Sequence, residues 1–125
     1  MSIDPLFILY VSDPDASARF YADALASPVI FQSPTYAMLA LGPSAKLGLW
    51  REGDVAPEAS IRPGGGELSF TVPDRAALEA LRDRLIAAGA PLLQQITAMS
   101  FGEGFVVADP DGHRLRPYIR AAAPQ

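Results

Sequence analysis

The chain has 125 residues, no cysteine and a formal net charge of −4. This length suits one domain with its own hydrophobic core, and the lack of cysteine excludes disulfides, Fe–S clusters and thiolate metal sites. The ten basic residues form no run, which argues against a nucleic-acid partner. The N-terminal apolar run, about six residues long, is too short for a signal sequence or a membrane span, so we expect a soluble cytoplasmic protein.

The first predicted module covers about residues 3–51 and opens with an apolar strand, Leu6 to Val11. Asp13 suits the N-cap of a helix because its carboxylate can accept hydrogen bonds from the free N–H groups of the first turn. Ala16, Phe20 and Ala24 then recur at helical spacing and share a face, with Tyr21 and Leu25 beside them. Three strands follow, predicted at Val29–Gln32, Tyr36–Leu41 and Lys46–Trp50.

A polar linker over residues 52–65 separates this module from the next. It runs into the glycine-rich stretch RPGGG at residues 62–66. That stretch does not follow a strand and open a helix, so it does not predict a phosphate-binding loop. We interpret the linker as a flexible connector.

The second predicted module covers about residues 66–120 and repeats the plan of the first. A strand over Glu67–Val72 leads to Asp74, a second N-cap. In the helix that follows, Leu78, Leu81, Leu85 and Ala88 recur at three- and four-residue steps. Gly89 suits a left-handed cap at the end of that helix. The remaining strands are predicted at Leu92–Thr97, Gly104–Ala108 and Arg114–Ile119.

The repeated order predicts an α+β single domain over residues 1–125, made of two βαβββ modules. Two such mixed sheets could curl into an open cup, whose concave face would be the natural ligand site. A plain α+β sandwich with a filled core is the alternative that periodicity leaves open.

Two stretches carry a resemblance to a known family. VSDPDASARFYADAL at residues 11–25 and ADPDGHRL at residues 108–115 resemble the first helix and the final turn of the vicinal oxygen chelate superfamily. This group includes glyoxalase I, bleomycin-resistance proteins and extradiol dioxygenases. Four stretches also resemble its phenazine-antibiotic resistance members in order and spacing: LYVSDPDASARFY, SPTYAML, LGLW and ADPDGHRLRPY. The resemblance implies a homodimer that binds a flat aromatic antibiotic.

Enzymes of this superfamily hold a divalent metal through four His or Glu side chains, one from each of four strands. The resemblance carries these positions onto Leu6, onto a residue near Leu47 or Leu49, onto Glu67 and onto Arg116. Of these, the Glu67 carboxylate alone can ligate a metal, and an arginine repels a cation. We therefore expect no metal and no cofactor. The single histidine, His113, is predicted to be a turn or surface residue rather than a catalytic one.

If the ligand positions mark the concave face, strand alternation predicts which side chains line it. Trp50 would offer a stacking surface, and Gly48 would let a flat ring approach the backbone. Arg116 would either neutralise an acidic ligand group or form an ion pair with Glu67. Met38, Phe101 and Phe105 could add walls. The predicted ligand-binding residues are Tyr10, Tyr36, Gly48, Trp50, Glu67, Ser69, Arg116 and Tyr118.

These residues favour a metal-free binding protein that sequesters a small planar aromatic compound such as a phenazine-like antibiotic. Trp50 as ordinary core or interface packing is the plainer interpretation of the same residue. An enzyme of the same superfamily, a lyase or dioxygenase with an unconventional metal site at Glu67, His113 or Glu103, is the second hypothesis. A dimer whose cup is filled by its own side chains is the third.

Overall fold

The computed structural model describes residues 3–121, and the chain divides into two compact units between Gly65 and Gly66. The first unit contains four strands, an α-helix and a short 3₁₀ helix at Glu52–Asp54. Its main elements are β1 (Leu6–Val11), α1 (Pro14–Leu25), β2 (Val29–Gln32), β3 (Tyr36–Leu41) and β4 (Ala45–Arg51). The second unit has the same order: β5 (Glu67–Thr71), α2 (Arg75–Ala87), β6 (Leu92–Met99), β7 (Gly102–Ala108) and β8 (Arg114–Arg120).

Each unit is built on one mixed four-stranded sheet. In the first unit the strand order is β1-β4-β3-β2, and in the second it is β5-β8-β7-β6. The pairs β1–β4 and β5–β8 are parallel, whereas the other neighbours are antiparallel. A parallel pair needs a long crossover, and the helix and two strands between its members supply it. The predicted α+β fold with two βαβββ modules is therefore confirmed.

The aspartate caps start both helices as the sequence predicts. Asp13 Oδ1 accepts from the N–H groups of Asp15 and Ala16, at 3.0 and 3.4 Å. Asp74 Oδ1 accepts from the N–H of Ala77 at 2.8 Å. These bonds satisfy N–H groups that have no partner within the helix.

The helix of each unit packs on one face of its sheet. In the first unit Tyr21 of α1 is fully buried together with Ala37, Leu39 and Leu49 of the sheet. The buried side of α1 includes Ser17, Ala18, Tyr21 and Ala24. Of the residues that the sequence groups on one side, Tyr21 and Ala24 are therefore buried, whereas Ala16, Phe20 and Leu25 are only half-buried. The ring of Phe20 lies 5.0 Å from that of Tyr21.

Ala88, the last of the predicted periodic positions of α2, is its exposed C-cap. The other three, Leu78, Leu81 and Leu85, are all buried. They belong to a core that also holds Phe105, Val107 and Leu115 of the sheet. Over residues 3–121, no helix has the length and apolar character that crossing a membrane would require.

Candidate functional site

The candidate site is a cavity on the face of the second sheet that α2 does not cover. Pairing of β5 with β8 sets Ser69 beside Arg116 and Thr71 beside Tyr118, so these side chains share one face. The intervening residues Leu115 and Pro117 are buried on the opposite, helix-covered face. The cavity has a volume of about 460 Å³ and is lined by Glu67, Ser69, Met99, Phe101, Arg116 and Tyr118. We call it the Arg116 cavity.

Arg116 is held in this cavity by side chains from two other strands of the sheet, β5 and β6. Its Nε donates to Oε2 of Glu67 at 3.0 Å, and its Nη2 donates to Oε1 at 3.3 Å. Its Nη1 donates to Oε1 of Gln94 on β6 at 3.2 Å. The Arg116 side chain is 18% exposed and that of Glu67 is 38% exposed. Of the two roles that the sequence left open for Arg116, the ion pair with Glu67 is present.

Two aromatic rings form a wall of the cavity. The rings of Phe101 and Tyr118 meet edge to face, with centroids 5.1 Å apart and planes at 89°. A Cβ at Gly104 would lie 2.5 Å from the main-chain oxygen of Pro117 and 2.9 Å from the Cβ of Tyr118, so this glycine lets β7 approach β8 closely beside the wall. Phe101 lines the cavity, where the sequence predicted a wall. The same prediction for Phe105 is wrong, because its side chain is fully buried in the core.

Sequence reasoning missed two members of this site, Gln94 and Met99. Both lie on β6, whose pairing with β7 shifts in register on each side of Gln94. Alternation along a strand assigns faces only while the register is regular, and an extra residue moves the following side chains to the other face. The sequence carries no signal for those shifts.

The other predicted ligand-binding residues lie together in the first unit. The Trp50 ring makes edge-to-face contacts with Tyr10 and Tyr36, at centroid distances of 6.5 and 6.4 Å. Phe31 lies beside Tyr36, with centroids 6.1 Å apart. We call these four residues the Trp50 cluster. They occupy the sheet face that α1 does not cover, since Tyr10, Trp50 and Tyr36 are register partners.

Gly48 also belongs to this face, and a flat ring does lie over it. That ring is the protein's own Tyr36: a Cβ at Gly48 would overlap the tyrosine hydroxyl and lie 3.0 Å from Cζ. Burial raises the pKa of Tyr36, because the phenolate would lose solvation there. The missing side chain of Gly48 thus accommodates an intramolecular contact.

The side chains do not fit the four-ligand metal site that the resemblance implies. Leu47 and Leu49, the residues nearest to the second implied ligand position, are buried in the core and have no group that can ligate a metal. At the two corresponding positions in the second unit, the Glu67 carboxylate already accepts two bonds from the guanidinium of Arg116. Within residues 3–121, His, Asp and Glu side chains form no group of three or more that could hold an ion.

His113 lies at the end of the turn, one of its two predicted positions, but it is not a surface residue, since it is only 3% exposed. Its Nδ1 lies 2.8 Å from Oδ2 of Asp109, while Oδ1 of Asp109 accepts from the N–H groups of Asp111 and His113, both at 2.9 Å. These bonds fix the turn that leads into β8. His113 therefore supports the strand that carries Arg116 and is not placed at the cavity.

Two other surface hollows lack a comparable combination of a paired guanidinium and aromatic rings. One, of about 430 Å³, lies between α2 and β6, and another, of about 320 Å³, lies in the linker. The Arg116 cavity differs from both because it combines a bidentate guanidinium–carboxylate pair with facing aromatic rings.

Comparisons with known proteins agree with this architecture. Residues 2–116 match the family model described as the Glyoxalase/Bleomycin resistance protein/Dioxygenase superfamily. No curated protein matches the chain. Among solved structures, protein ATC0852 of Agrobacterium tumefaciens is 42% identical, with a TM-score of 0.84, covering 98% of this chain and 100% of that protein.

Two further solved structures share the fold. A glyoxalase-related enzyme from Fulvimarina pelagi is 27% identical, with a TM-score of 0.82, and the match covers 96% of this chain and 89% of that one. TnmS3, an antibiotic binding protein from Streptomyces sp. CB03234, is 20% identical, with a TM-score of 0.75 and coverage of 97% and 98%. The family model spans nearly the whole chain, and the paired βαβββ units agree with it. This protein therefore belongs to the glyoxalase/bleomycin resistance protein/dioxygenase superfamily.

Proposed function

We propose that this protein binds a small, planar, partly apolar molecule and lowers its free concentration without chemical conversion. The observation that carries the proposal is the Arg116 cavity, in which a fixed guanidinium faces a hollow walled by Phe101 and Tyr118. Its volume of about 460 Å³ lies within the range of small-molecule sites. Aromatic walls with a few fixed polar groups are typical of such sites.

A phenazine-like antibiotic is our proposed ligand class. The flat, fused ring of a phenazine matches a cavity with aromatic walls, and stacking or edge contacts add about 0.5–1.5 kcal/mol beyond burial. The antibiotic binding protein TnmS3 shares the fold, which supports the view that this architecture can hold a drug. The lack of fit to a four-ligand metal site supports binding over the metal-dependent lyase or dioxygenase that we also considered.

Isothermal titration with phenazine-1-carboxamide and with phenazine-1-carboxylate tests the proposal directly. We expect at least one of the two to bind the wild-type protein, and Phe101→Ala to weaken that binding about tenfold by removing a wall. Leu93→Ala, which removes an exposed side chain outside the cavity, is the matched control. Absence of binding at high micromolar concentration would contradict the proposal.

Elemental analysis of the purified protein distinguishes the enzyme alternative. The enzyme alternative would replace the binding proposal if the wild type held a stoichiometric transition metal and had a lyase or dioxygenase activity, and if Glu67→Ala lost both. We expect instead that the Glu67→Ala protein and the wild type have the same metal content, because the Glu67 carboxylate is already paired with the guanidinium of Arg116.

The Trp50 cluster is proposed as a stacking surface for aromatic molecules. Trp50 is the only tryptophan and is half-buried, so its emission reports on any ring that reaches it. We expect the ligand to change this emission, and we expect Trp50→Phe to bind more weakly while remaining folded. An unchanged emission at saturating ligand would restrict binding to the second unit.

We also propose that the protein forms a homodimer. The sequence resemblance to the superfamily implies this, and Ile30 and Phe31 on β2 are 46% and 50% exposed in the single chain. Sedimentation equilibrium is expected to give twice the chain mass of 13.3 kDa. A cytoplasmic location and the lack of a nucleic-acid partner stay predictions.

A further inference from the structure

We infer that the Arg116 cavity selects a ligand with an uncharged hydrogen-bond acceptor, such as an amide or ring carbonyl, over the same ligand with a carboxylate. This inference rests on the proposed function and names the chemistry that the site would recognise. It departs from the expectation that Arg116 neutralises an acidic ligand group.

The first reason is the charge balance of the cavity. The Glu67 carboxylate contacts both Nε and Nη2 of Arg116, at 3.0 and 3.3 Å, and both residues line the cavity. The guanidinium charge is therefore already compensated. A ligand carboxylate at the same guanidinium would lose its hydration and would be repelled by the negative charge of Glu67. An uncharged carbonyl has less hydration to lose and is repelled less by that charge.

The second reason is the number of donors that Arg116 keeps. A guanidinium has five N–H donors, and three of them are engaged by Glu67 and Gln94 within residues 3–121. The remaining two can serve a carbonyl oxygen, which has two lone pairs. Within the cavity lining the charges of Arg116 and Glu67 cancel, so the lining offers hydrogen bonds without a net positive charge.

The third reason is the orientation of Ser69. Its hydroxyl donates to the main-chain carbonyl of Arg116 at 2.8 Å, so its oxygen can only accept from a ligand. The Glu67 carboxylate is likewise an acceptor. A carboxamide presents a carbonyl for Arg116 and an N–H₂ for Ser69 or Glu67, while a carboxylate presents acceptors only.

Phenazine-1-carboxamide and phenazine-1-carboxylate form a matched pair of probes, since they share the ring and differ only in that the first has an amide N–H₂ where the second has a charged oxygen. Isothermal titration at neutral pH is expected to show the carboxamide binding wild type at least about fivefold more tightly. Glu67→Gln uncovers the guanidinium charge, so the preference should shrink or reverse in that variant. Its amide oxygen can still accept one bond from Arg116, and thermal unfolding checks that it is folded.

Glu103→Gln is the charge-matched control, because Glu103 pairs with Arg75 at 3.3 Å and does not line the Arg116 cavity. We expect this variant to keep the wild-type preference. A wild-type preference for the carboxylate, or a preference that Glu67→Gln leaves unchanged, would overturn the inference while leaving the binding function in place. If neither probe binds wild type or variant, the proposed function fails and the inference with it.

Discussion

At the scale of single residues, Gly48 lies directly beneath the ring of Tyr36. A side chain there would collide with the ring of Tyr36, which lies against β4. We expect Gly48→Ala to destabilise the protein by about 1–2 kcal/mol, because the ring must leave its position in the Trp50 cluster. Urea unfolding measures the loss, and a shift in Trp50 emission of the native state reports the displaced ring.

Gly53→Ala is the control for this substitution. A Cβ at Gly53 meets open space within the described structure, so its stability should stay close to that of wild type. Equal losses in the two variants would show that the Tyr36 contact is not what excludes a side chain at Gly48.

Tyr36 gives the first unit a predictable response to alkaline pH. Burial raises the pKa of Tyr36, so the folded state keeps the phenol proton at a pH where the unfolded state has lost it. The contribution of this difference to stability is complete below the ordinary tyrosine pKa of about 10 and is lost as pH rises through the folded value. Urea midpoints of wild type should therefore fall more than those of Tyr36→Phe between about pH 8 and about pH 10.5. Parallel pH profiles of the two proteins would contradict this.

Residue-level predictions succeeded where a side chain's face follows from strand alternation alone. Ser69, Arg116 and Tyr118 come from strands in regular register, so the sequence places them on one face. His113 could not be predicted in the same way. Its burial depends on the side chain of Asp109, and a turn motif does not reveal how deeply it is packed.

At the scale of elements, the two helix ends differ in a way that suggests a stabilising substitution. Helix α1 ends at Ala26 in the left-handed conformation, with φ 49°, whereas α2 ends with Ala88 at φ −80° and Gly89 at φ +98°. A left-handed alanine is strained by its Cβ, and glycine is not. We expect Ala26→Gly to stabilise the protein by about 0.5–1 kcal/mol in thermal or urea unfolding.

Ala88→Gly is the control for Ala26→Gly, because it shows what an Ala→Gly substitution does to stability where no left-handed strain is relieved. Ala88 has an ordinary right-handed conformation, so glycine there should only add unfolded-state freedom and destabilise by about 0.5–1 kcal/mol. Stabilisation by both variants, or by neither, would show that the conformation of Ala26 is not strained.

Most element boundaries follow from local sequence signals. The aspartate caps, Gly89 and the valine-terminated strands predict both helices and the starts of β1 and β5. β6 and β7 each extend two residues beyond prediction, to Met99 and from Gly102. The hairpin there pairs residues that are not strongly apolar, and backbone pairing can continue where hydrophobic alternation ends.

At the scale of the whole molecule, we propose that the two compact units unfold as one domain. In each unit a single helix covers one face of the sheet, and in the first unit Leu6 and Ile8 on the other face are 46% and 41% exposed in the chain. A layer with one covered face is marginal by itself, because its remaining apolar surface gains nothing from burial. This proposal corresponds to the single domain that the length of the chain predicts.

Asp74→Ala tests this cooperativity because the substitution and its reporter lie in different units. Removing the carboxylate that accepts from the N–H of Ala77 should cost about 1 kcal/mol in the second unit, while Trp50 reports on the first. If the units unfold together, the urea midpoint by Trp50 emission shifts as much as the midpoint by far-UV circular dichroism. Asp74→Asn keeps a capping oxygen and should leave both midpoints near wild type. The contrary result is that Asp74→Ala leaves the urea midpoint by Trp50 emission unchanged while the unfolding curve by circular dichroism becomes biphasic. It would mean that each unit is stable independently, and that the linker joins two domains.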